Sequence, residues 1–175
     1  MTSPSASNPS APQEKTEVVI LGGGCFWGVQ DLIRKLPGVV RSEVGYSGGK
    51  IPNPRYVDVK TGTTGHAEVV KIEFDPSKVT LEKILEYFFR LHDPTTLNRQ
   101  GNDVGTQYRS VIFYANEAQK LTAEAVKKRV QESGKWRNPI VTEIAPQGTF
   151  TSAEDYHQDY LVKNPGGYTC HYLRD

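Results

Sequence analysis

Four apolar residues, Val18-Val19-Ile20-Leu21, run straight into three glycines, and helical spacing begins directly behind them. No other stretch limits the fold as much. So short an apolar run reads as a buried strand, while Phe26, Val29, Leu32, Ile33 and Leu36 recur at the helical period. The chain must therefore turn sharply from strand to helix near residue 25, and Pro37-Gly38 ends the helix. The pattern then continues. Val39, Val40, Val44 and Tyr46 suggest a second strand closed by Ser47-Gly48-Gly49, and residues 68–74 alternate as a third, stopped by Asp75-Pro76. A helix is expected from about Leu81 to Leu91 with Thr80 as its N-cap, then a strand over 109–115. Asn116 caps a long helix reaching Glu132, and a last strand covers 140–145. This order, β-α-β twice plus an extra helix, predicts an α+β sandwich with helices on one face of a mostly antiparallel sheet.

The 175 residues suffice for one domain with a real core. Residues 1–16 are rich in Ser, Pro and Ala and are expected to be a disordered tail. Residues 17–175 are expected to form a single domain whose mobile final segment carries Cys170. Basic and acidic side chains number 21 and 20, which gives no reason to expect nucleic acid or an anionic membrane as partner. No apolar run approaches the length of a membrane span, and no apolar signal core precedes the domain, so a cytoplasmic protein is expected. Two connections, 47–67 and 92–108, lack periodicity and are dense in Gly, Tyr, His, Asp and Asn. Loops that long in a compact domain are usually functional.

Cys25 would sit at the start of the first helix, where free backbone N–H groups and the helix dipole favour a thiolate. The glycines before it permit a tight turn and close approach of a substrate. The plain alternative is a buried core cysteine. A second is a dinucleotide-binding turn, with Glu43 at about the ribose-binding distance, but Trp27 stands where that turn needs a third small residue. Phe26 and Trp27 point about 100° apart on a helix, which is awkward for two core residues. Flanking the sulfur, they would make an apolar wall for a small methyl group.

Four histidines, His66, His92, His157 and His171, keep a cysteine hydrolase pairing Cys25 with a histidine open. The two cysteines lack metal-ligand spacing, which argues against zinc. Cys170 follows Pro165-Gly166-Gly167, five residues before the end of the sequence. A reactive thiol plus a hinged one suits a sulfenic-acid cycle resolved to a disulfide. An exposed cysteine without a role is the plain alternative.

The segments GCFWG (24–28), GYSGG (45–49), TGTTGHAEVV (61–70), HDPTTLNRQGNDVGTQYRS (92–110) and EDYHQDYL (154–161) resemble the A-type peptide methionine sulfoxide reductases, in order, over about residues 17–173. The resemblance implies a two-layer α/β sandwich with a ferredoxin-like core. It also implies reduction of the S-epimer of methionine sulfoxide, free or in proteins, in repair after oxidative stress. Cys25 is then the nucleophile and Glu68 the acid that protonates the sulfoxide oxygen. Tyr56 and Tyr108 hydrogen-bond that oxygen, Phe26 and Trp27 hold the S-methyl group, and Asp103 and His157 complete the polar rim. Cys170 is similar to the family's resolving cysteine, and a second recycling cysteine carried by some members is absent. By the same resemblance thioredoxin is the reductant, no bound cofactor is needed, and the protein is a monomer.

Overall fold

The computed structural model describes residues 15–174. The disordered segment expected over 1–16 therefore lies outside the described residues, except for Lys15 and Thr16. The chain forms a mixed α/β structure around a six-stranded sheet. Strand β1 (Glu17–Gly23) leads into helix α1 (Phe26–Ile33) and strand β2 (Val39–Ser47). A short helix α2 (Tyr56–Val59) precedes β3 (Ala67–Phe74) and α3 (Leu81–Leu91). A two-stranded hairpin, β4 (Arg99–Gln100) and β5 (Asp103–Val104), comes before β6 (Ser110–Tyr114). Helix α4 (Glu117–Glu132), β7 (Glu143–Pro146), β8 (Phe150–Ser152) and the short α5 (Tyr160–Lys163) follow. The large sheet runs β7-β6-β1-β3-β2-β8. β7 pairs parallel with β6, and the other pairings are antiparallel.

Strand alternation divides the side chains between the sheet's two faces. Val19 and Leu21 of β1, Val44 and Tyr46 of β2, and Val70, Ile72 and Phe74 of β3 pack with α1, α3 and α4 in one core. Ile20, Ala67, Val69, Val111 and Phe113 lie on the opposite face in a smaller cluster with Ala145 and Phe150. Helix α3 contributes Ile84, Leu85, Phe88, Phe89 and Leu91, all essentially inaccessible. Each such side chain stabilises the fold by about 1.5–3 kcal/mol, so packing holds this helix more than intrinsic propensity does.

Both expected caps form. The Thr80 hydroxyl accepts from the Lys83 N–H at 3.1 Å, and the Asn116 side chain accepts from the Gln119 N–H at 2.9 Å. Three expectations need correction. Helix α1 stops at Ile33, because residues 34–36 fold into tight turns whose N–H groups reach the carbonyls of Gln30, Leu32 and Ile33. The last expected strand begins at Glu143 rather than residue 140. Ile140 N–H is taken by Gln131 and Val141 N–H by the Pro94 carbonyl, so neither can enter the ladder. The tail after His157, expected to be irregular throughout, contains the short helix α5, and only its later residues, 167–174, form neither helix nor strand. Among the described residues no helix is long and apolar enough to cross a membrane.

The caps give a stability prediction. Asn116→Ala removes the acceptor for the Gln119 N–H and is expected to cost about 1 kcal/mol. Urea denaturation should show a lower midpoint with an unchanged slope.

Candidate active site

Glu68 lies on β3, opposite Tyr46 of β2. It shares its parity with Val70, Ile72 and Phe74, so alternation points it at the helix-covered face, where it is 2 % exposed. The start of α1 lies beside it, and the Phe26 N–H donates to Glu68 Oε1 at 3.2 Å. Cys25 is the N-cap of that helix. The turn between β1 and Cys25 requires glycine at position 24. Its φ is +99°, and a Cβ there would come within 2.6 Å of Gln100 Cγ.

Cys25, Phe26, Trp27, Tyr56, Glu68, Asp103, Tyr108 and Tyr168 line one small cavity of about 110 Å³. That is well under the 300–1,000 Å³ common for drug-sized ligands, so it suits the end of a side chain rather than a cofactor. Larger clefts of about 550 and 470 Å³ lie over α4 and β7 and between α3 and α4. Neither is lined by a thiol, so chemistry rather than size identifies the site. Among the described residues no group of three or more His, Cys, Asp or Glu could hold a metal ion.

The long connections deliver the remaining walls. Tyr56 opens α2, and its N–H donates to Glu154 Oε2 at 2.9 Å. Glu154 Oε1 accepts from the Tyr46 hydroxyl at 2.9 Å, so one carboxylate ties β2 to this loop. Those bonds hold the Glu154 carboxyl below the usual range despite its partial burial, which acts the other way. Tyr108 closes a 3-10 turn, Thr106–Tyr108, and Asp103 sits on β5. The Thr106 hydroxyl and Gln107 amide reach the Gly62 and Lys60 carbonyls, lacing the two long connections together.

Burial pushes the Glu68 carboxyl from 4.5 up to about 8. The Phe26 N–H opposes that shift and Asp103 adds to it. Glu68 is therefore mostly a neutral acid near pH 7. Burial also raises Asp103, while a hydrogen bond from Tyr168 draws it down. Cys25 departs from expectation. It does stand at the helix start, and the Trp27 N–H favours its anion, but burial and then Glu68 raise the thiol well above its ordinary value. Burial thus works against the thiolate that the helix start was expected to favour. The helix start divides its N–H groups between Glu68 and the sulfur, and no Lys or Arg lines the cavity to compensate for burial.

His157 also departs from expectation: it is absent from the cavity wall. It is buried behind Trp27, whose indole N–H donates to His157 Nδ1 at 2.9 Å. Tyr160 stacks on the other side of the indole, with ring centroids 3.7 Å apart. Phe26 packs against Tyr46 and His157. Tyr46, Glu154 and Tyr168 were not among the residues expected here. Tyr46 and Glu154 lie inside two of the quoted segments, and Tyr168 stands two residues before Cys170, which were the signals the sequence offered.

Cys170 is a free thiol, half-buried, and Cys25 is also free. The Cys170 sulfur lies 4.0 Å from the Gln100 carbonyl. The next residue, His171, donates from Nε2–H to the Gly23 carbonyl at 2.7 Å and so anchors the segment. None of the four histidines lines the cavity. His66 is engaged with Gly49 and Ile51, and His92 with Phe88 and Ser110. A cysteine–histidine hydrolase therefore lacks its base at Cys25. A dinucleotide turn is equally unsupported, because Gln100 and His171 fill the space beside Gly24.

Residues 17–175 match the model of the family described as peptide methionine sulfoxide reductase. The chain is 54% identical over 159 residues to the peptide methionine sulfoxide reductase MsrA of Leifsonia xyli subsp. xyli, covering 91% of this chain and 92% of the relative. The crystal structure of Mxr1 from Saccharomyces cerevisiae in reduced form is similar at a TM-score of 0.88 and 42% identity, over 92% of this chain and 93% of that one. Mxr1 in complex with Trx2 is similar at a TM-score of 0.64 and 29% identity, over 92% and 91%.

The displaced carboxyl predicts how stability depends on pH. Between about pH 4.5 and 8 the native protein keeps a proton on Glu68 that the unfolded chain loses. Stability from this group is therefore full below about 4.5 and declines until pH passes about 8. Glu68→Gln should remove that decline, gaining on the order of several kcal/mol relative to wild type at pH 9 compared with pH 5. Urea unfolding of both proteins across that range measures it.

Proposed function

The chain belongs to the peptide methionine sulfoxide reductase family and reduces methionine sulfoxide by thiol chemistry; we propose that Cys25, Glu68 and Cys170 carry the reaction. The observation that carries this reading is a neutral acid, Glu68, sharing an apolar cavity with the Cys25 thiol.

Sulfoxide oxygen leaves poorly unless it is protonated. Glu68 supplies that proton, which makes the sulfur electrophilic. Cys25 attacks it, forming a transient Sγ–S bond as the thiol proton returns to the Glu68 carboxylate; the hydroxyl then passes from the substrate sulfur to Sγ, breaking the S–O and Sγ–S bonds. Thiol plus sulfoxide thereby become sulfenic acid plus methionine: the cysteine is oxidised, the substrate is reduced, and the oxygen moves to Cys25. Glu68 need not compete with an anionic thiol at rest, because both groups begin protonated. Tyr56 and Tyr108 are the hydroxyl donors to the oxygen, and burial keeps both protonated. Phe26 and Trp27 hold the methyl group. His157 acts through Trp27 as a positioning residue, since only an unprotonated Nδ1 can accept the indole N–H. Burial lowers its pKa and keeps it in that form. Asp103 completes the polar side of the cavity.

Cys170 then attacks the Cys25 sulfenic acid, forming a disulfide and releasing water. By likeness to the Mxr1–Trx2 complex, thioredoxin returns this disulfide to two thiols and is itself oxidised. No step requires a bound cofactor. A cytoplasmic setting suits two thiols that must be re-reduced each cycle. We read the sheet as a ferredoxin-like core, supported by the order β6-β1-β3-β2 and two β-α-β units. Residues 17–175 serve in this reading as one catalytic domain.

Product release from methionine S-sulfoxide tests the assignment, with the R-epimer as control. Cys25→Ser should be inactive with either dithiothreitol or thioredoxin. Cys170→Ser should form about one methionine per enzyme with thioredoxin and then stall, while dithiothreitol restores turnover. Multiple turnover by Cys25→Ser would refute the reading.

The acid makes a separate prediction. Glu68→Gln should lower kcat about 10²–10⁴-fold, the usual range for losing a general acid. The wild-type rate should fall as pH rises through about 8, where Glu68 loses its proton.

A further inference from the structure

Seven of the eight residues lining the cavity stand on α1 and its cap, α2, β3, β5 or the turn at Tyr108. The eighth, Tyr168, comes from residues 167–174, which form neither helix nor strand. This is also the segment that carries Cys170. We propose that Tyr168 is a substrate-contacting wall of the cavity that travels with the recycling thiol, so that delivering Cys170 to Cys25 opens the cavity. The proposal rests on the roles given above to Cys25 and Cys170.

The contacts of the segment alternate. Tyr168 and Cys170 face the β4–β5 hairpin: the Tyr168 hydroxyl donates to Asp103 Oδ2 at 3.2 Å, and the Cys170 sulfur lies by the Gln100 carbonyl. Thr169 and His171 face α1, where a side chain on Gly28 would collide with both. Tyr168 and Cys170 therefore share a side and are separated by one residue.

Both sulfurs are unbonded, and a disulfide requires them about 2.05 Å apart. Cys170 must leave the Gln100 carbonyl to make it. Only one residue separates Cys170 from Tyr168, so the tyrosine is drawn along. Its hydroxyl is held by Asp103 and by the Cys170 thiol itself, on a side chain that is 45% exposed, whereas His171 is buried and anchored. An exposed neutral-to-carboxyl bond is modest and yields readily. Withdrawal of the ring removes one aromatic wall, leaves Asp103 without its donor and admits water to an apolar site. The reduced enzyme thus closes on the sulfoxide side chain, and the disulfide form releases methionine.

Two measurements on the full chain test this. The first is the methionine burst of Cys170→Ser with S-sulfoxide substrate, compared with the same protein carrying Tyr168→Phe or Tyr168→Ala. The alanine variant should raise the half-saturating concentration about tenfold and the phenylalanine variant about threefold, with the maximal burst rate kept within about threefold. Unchanged half-saturation in both variants overturns the proposal, as does a loss confined to the maximal rate. Circular dichroism and thermal unfolding establish that each variant folds, and Tyr168→Phe serves if the alanine variant does not. No burst in Cys170→Ser itself would instead refute the catalytic reading, which keeps the two failures distinct.

The second measurement compares binding of N-acetyl-methionine amide to reduced Cys170→Ser and to the wild-type disulfide form, by calorimetry. At least tenfold weaker binding by the disulfide form is expected. Equal affinity in both states would overturn the coupling.

Discussion

A carboxyl buried at the end of β3, beneath the first turn of α1, sets the terms for the rest of the site. Glu68 is 2 % exposed and receives one backbone N–H, from Phe26. One neutral-strength donor is far less than water offers an anion, so the proton stays on. The same cavity holds a thiol and a second carboxyl, with no cation among its walls. Each negative charge there would raise the cost of the next. In the proposed reaction Cys25 and Glu68 therefore both start protonated, and Glu68 gives up its proton when a substrate oxygen arrives to take it.

Regular structure builds only half of this arrangement. β1, β3 and α1 present Cys25, Phe26, Trp27 and Glu68. The tyrosines and Asp103 arrive on connections held by side chain-to-backbone bonds. Gln100 exchanges two bonds with Asp93, accepting from its N–H and donating to its carbonyl, both at 2.8 Å. Gln158 makes the same exchange with Val44, at 3.0 and 2.9 Å. Such pairs stand in for a neighbouring strand and satisfy the backbone groups of Asp93 and Val44. Glu154 likewise takes the Tyr56 N–H, and its other oxygen takes the Tyr46 hydroxyl.

This division explains what could be read from the sequence. Periodicity revealed β1, α1, β2, β3 and α3 because each presents an apolar face to one core. The caps at Thr80 and Asn116 were legible because an N-cap is a local event between residues three apart. The hairpin β4–β5, α2 and β8 run only two to four residues, too short for any period to register. The role of Glu154 could not be read even within its motif, because its partners, Tyr46 and Tyr56, are about a hundred residues away. The family resemblance implied one site for Cys25, Glu68, Tyr56, Tyr108 and Asp103, and all five line the cavity. The motifs could not place His157 behind Trp27, because the indole contact joins residues 130 positions apart. The charge on Cys25 could not be read locally for a different reason. Helix position fixes the favourable contribution from N–H groups, but burial decides the sign, and burial is a property of the assembled fold.

A high thiol pKa has a chemical consequence that a resting thiolate would not. Cysteine oxidation and alkylation follow thiolate character and exposure. Cys25 has little of either: it is buried, and burial with Glu68 opposite keeps it protonated. An oxidant that cannot accept a proton from Glu68 meets a poor nucleophile. In the proposed mechanism a sulfoxide accepts that proton, and the carboxylate left behind is the base that frees the sulfur. Protonation of the leaving oxygen and activation of the nucleophile are then two halves of one transfer. On that mechanism, selectivity comes from withholding the anion until the substrate itself calls for it.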